Sequence, residues 1–236
     1  MEIYRRLRNV MGDYQLRSAI IALSLFSTLS YAGTTGAGMQ VYSGGGFSTY
    51  KSKVVAMNDT STAIGYGLKI RAGTDGDLGV HWDEFTNKTK FALNSSETKI
   101  SFQDTSILFN VGSFFLGPVF SKVTIDVNNQ GTTTLSGLGS GYGANTGFSF
   151  DIGKGSTVYF EGKMITTSIL KAEDSVKASM GSRTDFKIGG IIPITKKLLS
   201  LDLAWRMQSW PVTISGQTGK EVLYTTWLGL LFNLNI

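Results

Sequence analysis

The sequence predicts an all-β fold, an antiparallel up-and-down transmembrane β-barrel of about ten strands, with eight as the alternative. Three observations predict it. From residue 39 onward apolar residues recur with period two, the period of a strand, and hardly leave it. Tight connections alternate with longer polar ones, as short turns alternate with long loops in membrane barrels. The sequence closes on YTTWLGLLFNLNI, where Leu228, Leu230, Phe232, Leu234 and Ile236 share one face, and Gly229, Leu231, Asn233 and Asn235 share the other.

Taken in order, residues 17–32 read RSAIIALSLFSTLSYA, a basic stretch, an apolar core from Ala19 to Leu29 and the small-residue ending Ser30-Tyr31-Ala32. That is the pattern of a cleaved secretory signal, so residues 1–32 are expected to be removed and residues 33–236 to form the barrel domain. The apolar core is too short for a membrane-crossing helix, which needs about 20 residues. The segment ahead of it is long for a signal, and Met11 offers an alternative start.

Ten strand-like segments follow, near 39–52, 60–73, 77–91, 97–115, 117–128, 142–153, 156–170, 181–192, 197–210 and 222–236. Ile64, Tyr66, Leu68 and Ile70 oppose Lys69 and Arg71; Ala144, Thr146, Phe148, Phe150 and Ile152 oppose Asn145, Gly147, Ser149 and Asp151. Val119, Val123, Ile125 and Val127 oppose Lys122, Thr124 and Asp126. Leu199, Leu201, Leu203, Trp205 and Met207 oppose Ser200, Asp202, Arg206 and Gln208. Tight turns are expected at 74–77, 116–118, 153–155 and 193–196, where glycine or proline sits. In two segments the phase slips, between Trp82 and Phe91 and between Phe102 and Ile107. Either a bulge or a stretch beyond the membrane would account for it, and Glu84 fits neither face.

Apolar faces turned toward lipid and polar faces turned inward distinguish a membrane barrel from a soluble one. The polar faces carry glycine and charges of both signs, as a narrow lumen needs. Aromatics near strand ends (Tyr42, Trp82, Trp205, Trp210, Trp227 and Phe232) suit an interfacial girdle, although Tyr42 and Trp227 fall on the inward phase. An open sheet edge cannot exist in hydrocarbon. The last strand is therefore expected to close on the first.

The features of the last strand resemble those of the bacterial outer-membrane β-barrel family. The resemblance lies in Leu228, Leu230, Phe232, Leu234 and Ile236, which look like that family's C-terminal assembly signal, in the glycine-rich MQVYSGGGF, and in strands such as IGYGLKI; it covers roughly residues 39–236. The family usually ends in Phe or another aromatic, and Ile236 departs from that. The resemblance implies an outer-membrane location, with membrane lipids and the barrel-assembly machinery as partners.

Composition excludes other classes. Cysteine is absent, which removes disulfide scaffolds and Cys-based metal or redox sites. The net charge is +5; the first 32 residues hold four arginines against Glu2 and Asp13, a surplus of two, which leaves +3 for the rest, scattered among acids. That is not the clustered basic face of a nucleic-acid binder. Gly44-Gly45-Gly46 and Gly137-Leu138-Gly139-Ser140-Gly141 do not lead from a strand into a helix, so they are not phosphate loops. No calcium-loop spacing is present, and no cofactor or metal is expected.

Barrel enzymes of the envelope rely on histidine, and this chain has a single one, His81, two residues from Asp83 on the same face. The pair could hydrogen-bond and orient a base. Its position just past the turn at 74–77 favours a lumen residue over catalysis. The expected lumen charges are Lys69, Arg71, Asp83, Lys122, Asp126, Asp151, Glu161, Lys163, Arg183, Asp185, Lys187, Asp202 and Arg206. They nearly balance, and in a barrel of this size they would bridge the interior. The leading expectation is a barrel with a structural or surface-binding role, using the loops at 129–141 and 211–221, without catalysis. A narrow porin-like channel for small solutes is the alternative. A secreted soluble β-barrel that binds a small apolar ligand is a second alternative.

Overall fold

The fold is that of a computed structural model, which describes residues 38–53, 57–72, 78–90, 96–129, 132–167, 171–172, 178–195, 198–214 and 216–235. The expected signal segment, the turn at 74–77 and Ile236 lie outside these residues.

Twelve strands are present among them: β1 (Gly38–Ser52), β2 (Met57–Ala72), β3 (Leu78–Lys90), β4 (Ser96–Val111), β5 (Phe114–Asn129), β6 (Thr132–Gly153), β7 (Ser156–Thr167), β8 (Lys171–Ala172), β9 (Ala178–Met180), β10 (Arg183–Pro193), β11 (Leu199–Ile214) and β12 (Gln217–Asn235). Ten of them form the wall, each antiparallel to its sequence neighbour, and β12 pairs with β1 from Gly38↔Asn235 to Ser52↔Glu221. The sheet is thereby closed, and no strand of the wall is left with an unpaired edge. The two short strands sit at the far rim, β8 against β6 and β9 against β11.

The expected turn at 116–118 is a correction. The chain reverses at Gly112-Ser113, where Gly112 adopts φ +60°, and residues 116–118 lie within β5. Gly112 is favoured there because a side chain resists that left-handed conformation. At 153–155 the turn is as expected, with positive φ at Gly153, Lys154 and Gly155. The expected loops at 129–141 and 211–221 are strand over most of their described residues: β5 runs to Asn129, β6 begins at Thr132, β11 runs to Ile214 and β12 begins at Gln217. A tilted span needs about 9–11 residues; β6, with 22, and β12, with 19, continue well past it.

Most outward side chains form an apolar belt. Phe47, Ile64, Phe109, Leu116, Phe120, Phe150, Met164, Phe186, Leu203 and Leu228 stand exposed on the outside of the wall. Inside lie the charged and hydroxyl-bearing residues. This inversion is the arrangement of a barrel built for a lipid surround.

β5 carries the main error of phase. Val119 and Val123 are fully buried in the lumen, and Lys122, Thr124 and Asp126 point outward. Polarity misled because the lumen also takes apolar residues, while the far ends of β4 and β5 have polar outer faces. No bulge occurs in β3 or β4, whose pairings run without a register shift. Phe85 and Phe102 turn inward and Glu84 outward, so the supposed slips are inward-facing aromatics in regular strands. Trp210, like Tyr42 and Trp227, is a lumen residue and not part of the girdle.

Candidate functional site: the lumen

Three layers fill the interior. Nearest the short turns, the Tyr42 hydroxyl meets His81 Nε2 at 3.0 Å, and Tyr159 Oη donates to Asp202 Oδ1 at 2.7 Å. Lys187 Nζ reaches Asp202 Oδ2 at 3.3 Å and lies 5.0 Å over the Tyr159 ring. Lys69 Nζ sits near the faces of Tyr42 and Tyr159, at 5.9 and 6.0 Å. Glycine makes the wall flat enough for these rings. A Cβ on Gly67 would come within 2.4 Å of the Tyr42 ring, and one on Gly65 within 2.9 Å of Trp227.

The middle layer is a continuous ion-pair network. Lys163 Nζ donates to Asp83 Oδ1 at 2.8 Å and to Asp104 Oδ2 at 3.0 Å. Arg183 Nη2 donates to Asp104 Oδ1 at 2.7 Å, and Ser121 Oγ donates to the same oxygen at 2.7 Å. Arg206 Nε donates to Asp185 Oδ1 at 2.9 Å, with Gln208 Nε2 on Oδ2 at 3.1 Å. Asn145 Nδ2 links Ser106 and Glu161 at 3.0 and 2.9 Å. The ions come from strands on opposite sides of the barrel, so the network ties the wall across its own interior. Each buried charge has an opposite charge or a hydrogen-bond donor beside it, which is what makes such burial tolerable.

Above the network lies an apolar layer. Phe85, Ile100, Phe102, Val123, Trp210, Leu223 and Trp227 are buried together, with Phe102 and Trp210 in edge contact at 5.3 Å between centroids. The cations cap this layer from below: Arg183 lies 4.3 Å over Phe102 and Arg206 4.4 Å over Phe85. Among the described residues a cavity of about 30 Å³ lies between Tyr42, His81, Glu161, Lys187, Arg206 and Trp227. That is room for a few waters.

Of the expected lumen charges, Asp83, Glu161, Lys163, Arg183, Asp185, Asp202 and Arg206 are buried inside, and Lys69 and Lys187 are half-buried there. Arg71 is exposed at the near rim, beside Lys69 in the inward phase. Asp151 does not join the network; it is exposed at the 154–155 turn, where it accepts from Gly153 N at 2.7 Å. Lys122 and Asp126 are on the outer wall, as above. His81 is buried and 3.9 Å from Asp83, beyond hydrogen-bond reach, so the expected His–Asp hydrogen bond does not form. Sequence reasoning missed Asp104, the acceptor at the centre of the network. Its signal is the unbroken alternation of Phe102, Asp104 and Ser106, which an inward-facing aromatic disguises as a slip in phase.

No family model and no curated protein matches the chain. Solved structures do. Neisserial surface protein A is 16% identical, with 82% of this chain and 96% of that chain covered and a TM-score of 0.44. The attachment invasion locus protein Ail of Yersinia pestis is 12% identical, with 85% and 100% covered and a TM-score of 0.39. An outer membrane channel from Pseudomonas putida F1 is 10% identical, with 86% and 97% covered and a TM-score of 0.43.

Proposed function

We propose that the chain is an integral barrel of the bacterial outer membrane with a structural or surface-binding role, and that it neither conducts solutes nor catalyses a reaction. The observation that carries this reading is the filled lumen. The Lys163–Asp104–Arg183 bridge crosses the interior, and the Phe102–Trp210 layer covers it. A solute would have to break ion pairs in a low-dielectric interior and then displace packed rings. His81 supports the absence of catalysis, since its Nε2 meets Tyr42 and its ring is buried.

The surface role falls to the long hairpins. β5–β6 and β11–β12 continue past the apolar belt and are the parts of the wall available to a ligand outside the membrane. Membrane lipids contact the belt. The outward row Leu228, Leu230, Phe232 and Leu234, with Ile236, is what the barrel-assembly machinery would read.

The test is single-channel recording in planar bilayers, on protein whose folding is verified by a mobility shift between unheated and boiled samples. Conductance at background level is expected. Steady openings that change on Lys187→Ala or Asp202→Ala would overturn the reading in favour of a pore.

A further inference from the structure

A polar cluster stands on the outer wall beside the apolar belt. On the outer faces of β3 and β4, the Glu84 carboxylate accepts from Gln103 Nε2 at 3.2 Å and from Ser101 Oγ at 3.4 Å, and Tyr66 is its cross-strand partner on β2. Thr86 Oγ1 extends the chain to Ser101 at 3.1 Å, and Thr105 adjoins Gln103 on the same face. The strand register puts Ile64 across from Thr86 and Phe120 across from Thr105, both exposed apolar residues of the flanking strands. Glu84 and its partners therefore sit directly beside exposed apolar residues of the belt. A carboxylate facing lipid is costly, and an intramembrane ionisable residue calls for a functional explanation.

The register supplies one. Glu84 pairs across to Gln103, and Gln103 pairs across to Lys122, so an acid, an amide and a base stand side by side on β3, β4 and β5, all facing outward. Two copies in one membrane share the same up direction, so a two-fold axis between them must lie along the membrane normal. With that axis at β4, β3 of one copy faces β5 of the other. Gln103 then meets its own counterpart. Glu84 meets Lys122 of the second copy twice, once on each side of the axis. Strand tilt raises Lys122 about 6 Å above Glu84, two strand spacings at a tilt of about 40°, which is the reach of a lysine side chain. The three-strand face is thus self-complementary in charge and in hydrogen bonding. Ile107, Phe109 and Leu116 lie beneath it as an apolar contact strip.

We propose that the β3–β5 wall is a homodimer interface, with a second copy of this chain as its occupant. The proposal rests on membrane insertion but not on the state of the lumen. Cysteine is absent, so single substitutions report cleanly. Gln103→Cys, oxidised in native membranes, is expected to give a covalent dimer, and Leu203→Cys on the opposite wall is expected to give none. Glu84→Lys alone and Lys122→Glu alone should each abolish the Gln103→Cys cross-link, and the two together should restore it. The mobility shift on heating certifies each variant as a folded barrel. If the folded Gln103→Cys protein stays monomeric, cross-links only to a different protein, or cross-links equally in the single and double charge variants, the proposal is overturned.

Discussion

Arg183 and Asp104, 79 residues apart in the chain, meet inside the barrel with Nη2 2.7 Å from Oδ1, both side chains essentially shut off from solvent. The pair joins β10 to β4 across the lumen, and the guanidinium lies 4.3 Å from the centre of the Phe102 ring. The ion pair adds a link across the interior to the closed hydrogen-bond ladder of the wall.

Arg183→Met leaves Asp104 with Lys163 as its remaining cation. Breaking a buried pair from one side costs about 3–5 kcal/mol, and exposure is too low here for water to discount it. Urea titration in phospholipid vesicles should show a loss of that order. The double variant Arg183→Met with Asp104→Leu should recover much of it, because no charge is then left unpaired.

Gly44→Ala should impair closure of the β1–β12 seam. The added Cβ would lie 2.4 Å from the Leu228 carbonyl oxygen and 2.7 Å from the Trp227 ring. The oxygen belongs to the paired strand and cannot swing away as a side-chain tip could. A cost of about 1–3 kcal/mol is expected, seen as a smaller fraction of heat-shiftable protein after refolding.

The lipid-facing row of β12 gives a depth-dependent prediction. Leu230 stands on the outer face well inside the belt, and Leu234 near its lower edge. Leu230→Arg should cost about 2–4 kcal/mol and Leu234→Arg about 0–1 kcal/mol, as measured by folding titration in vesicles. Equal costs would show that this face does not cross the hydrocarbon.

The phase of β5 can be read chemically. Lys122→Cys should accept a membrane-embedded spin label at the outer wall, whereas Val123→Cys should stay unlabelled by aqueous or lipid reagents in the folded barrel. Lys122 is half-exposed outside, and Val123 is fully buried inside. The opposite result would return β5 to the phase its polarity suggested.

Phe102→Ala removes the ring that carries both the Trp210 contact and the Arg183 guanidinium. Thermal unfolding should report a loss of about 3–5 kcal/mol, as for large-to-small changes in a packed core.

The alternation of apolar residues by itself determined the class of fold, the near-ten-strand count and the outward face of β12, because a period of two has one structural meaning and a closed wall leaves few topologies. Most of the lumen charges were legible for the same reason: Lys163, Asp185, Asp202 and Arg206 oppose apolar residues in strands of clean phase. β4 and β5 were not legible. There the inward face mixes Asp104 with Phe102 and Val123, and the outward face mixes Glu84's partners and Lys122 with Phe120, so polarity no longer tells inside from outside. Only the turn at Gly112-Ser113 and the pairing of both strands with their neighbours decide it. Which charges meet is also a tertiary matter. Arg183 and Asp104 lie on strands far apart in the sheet order, and only closure of the wall brings them across the lumen to each other.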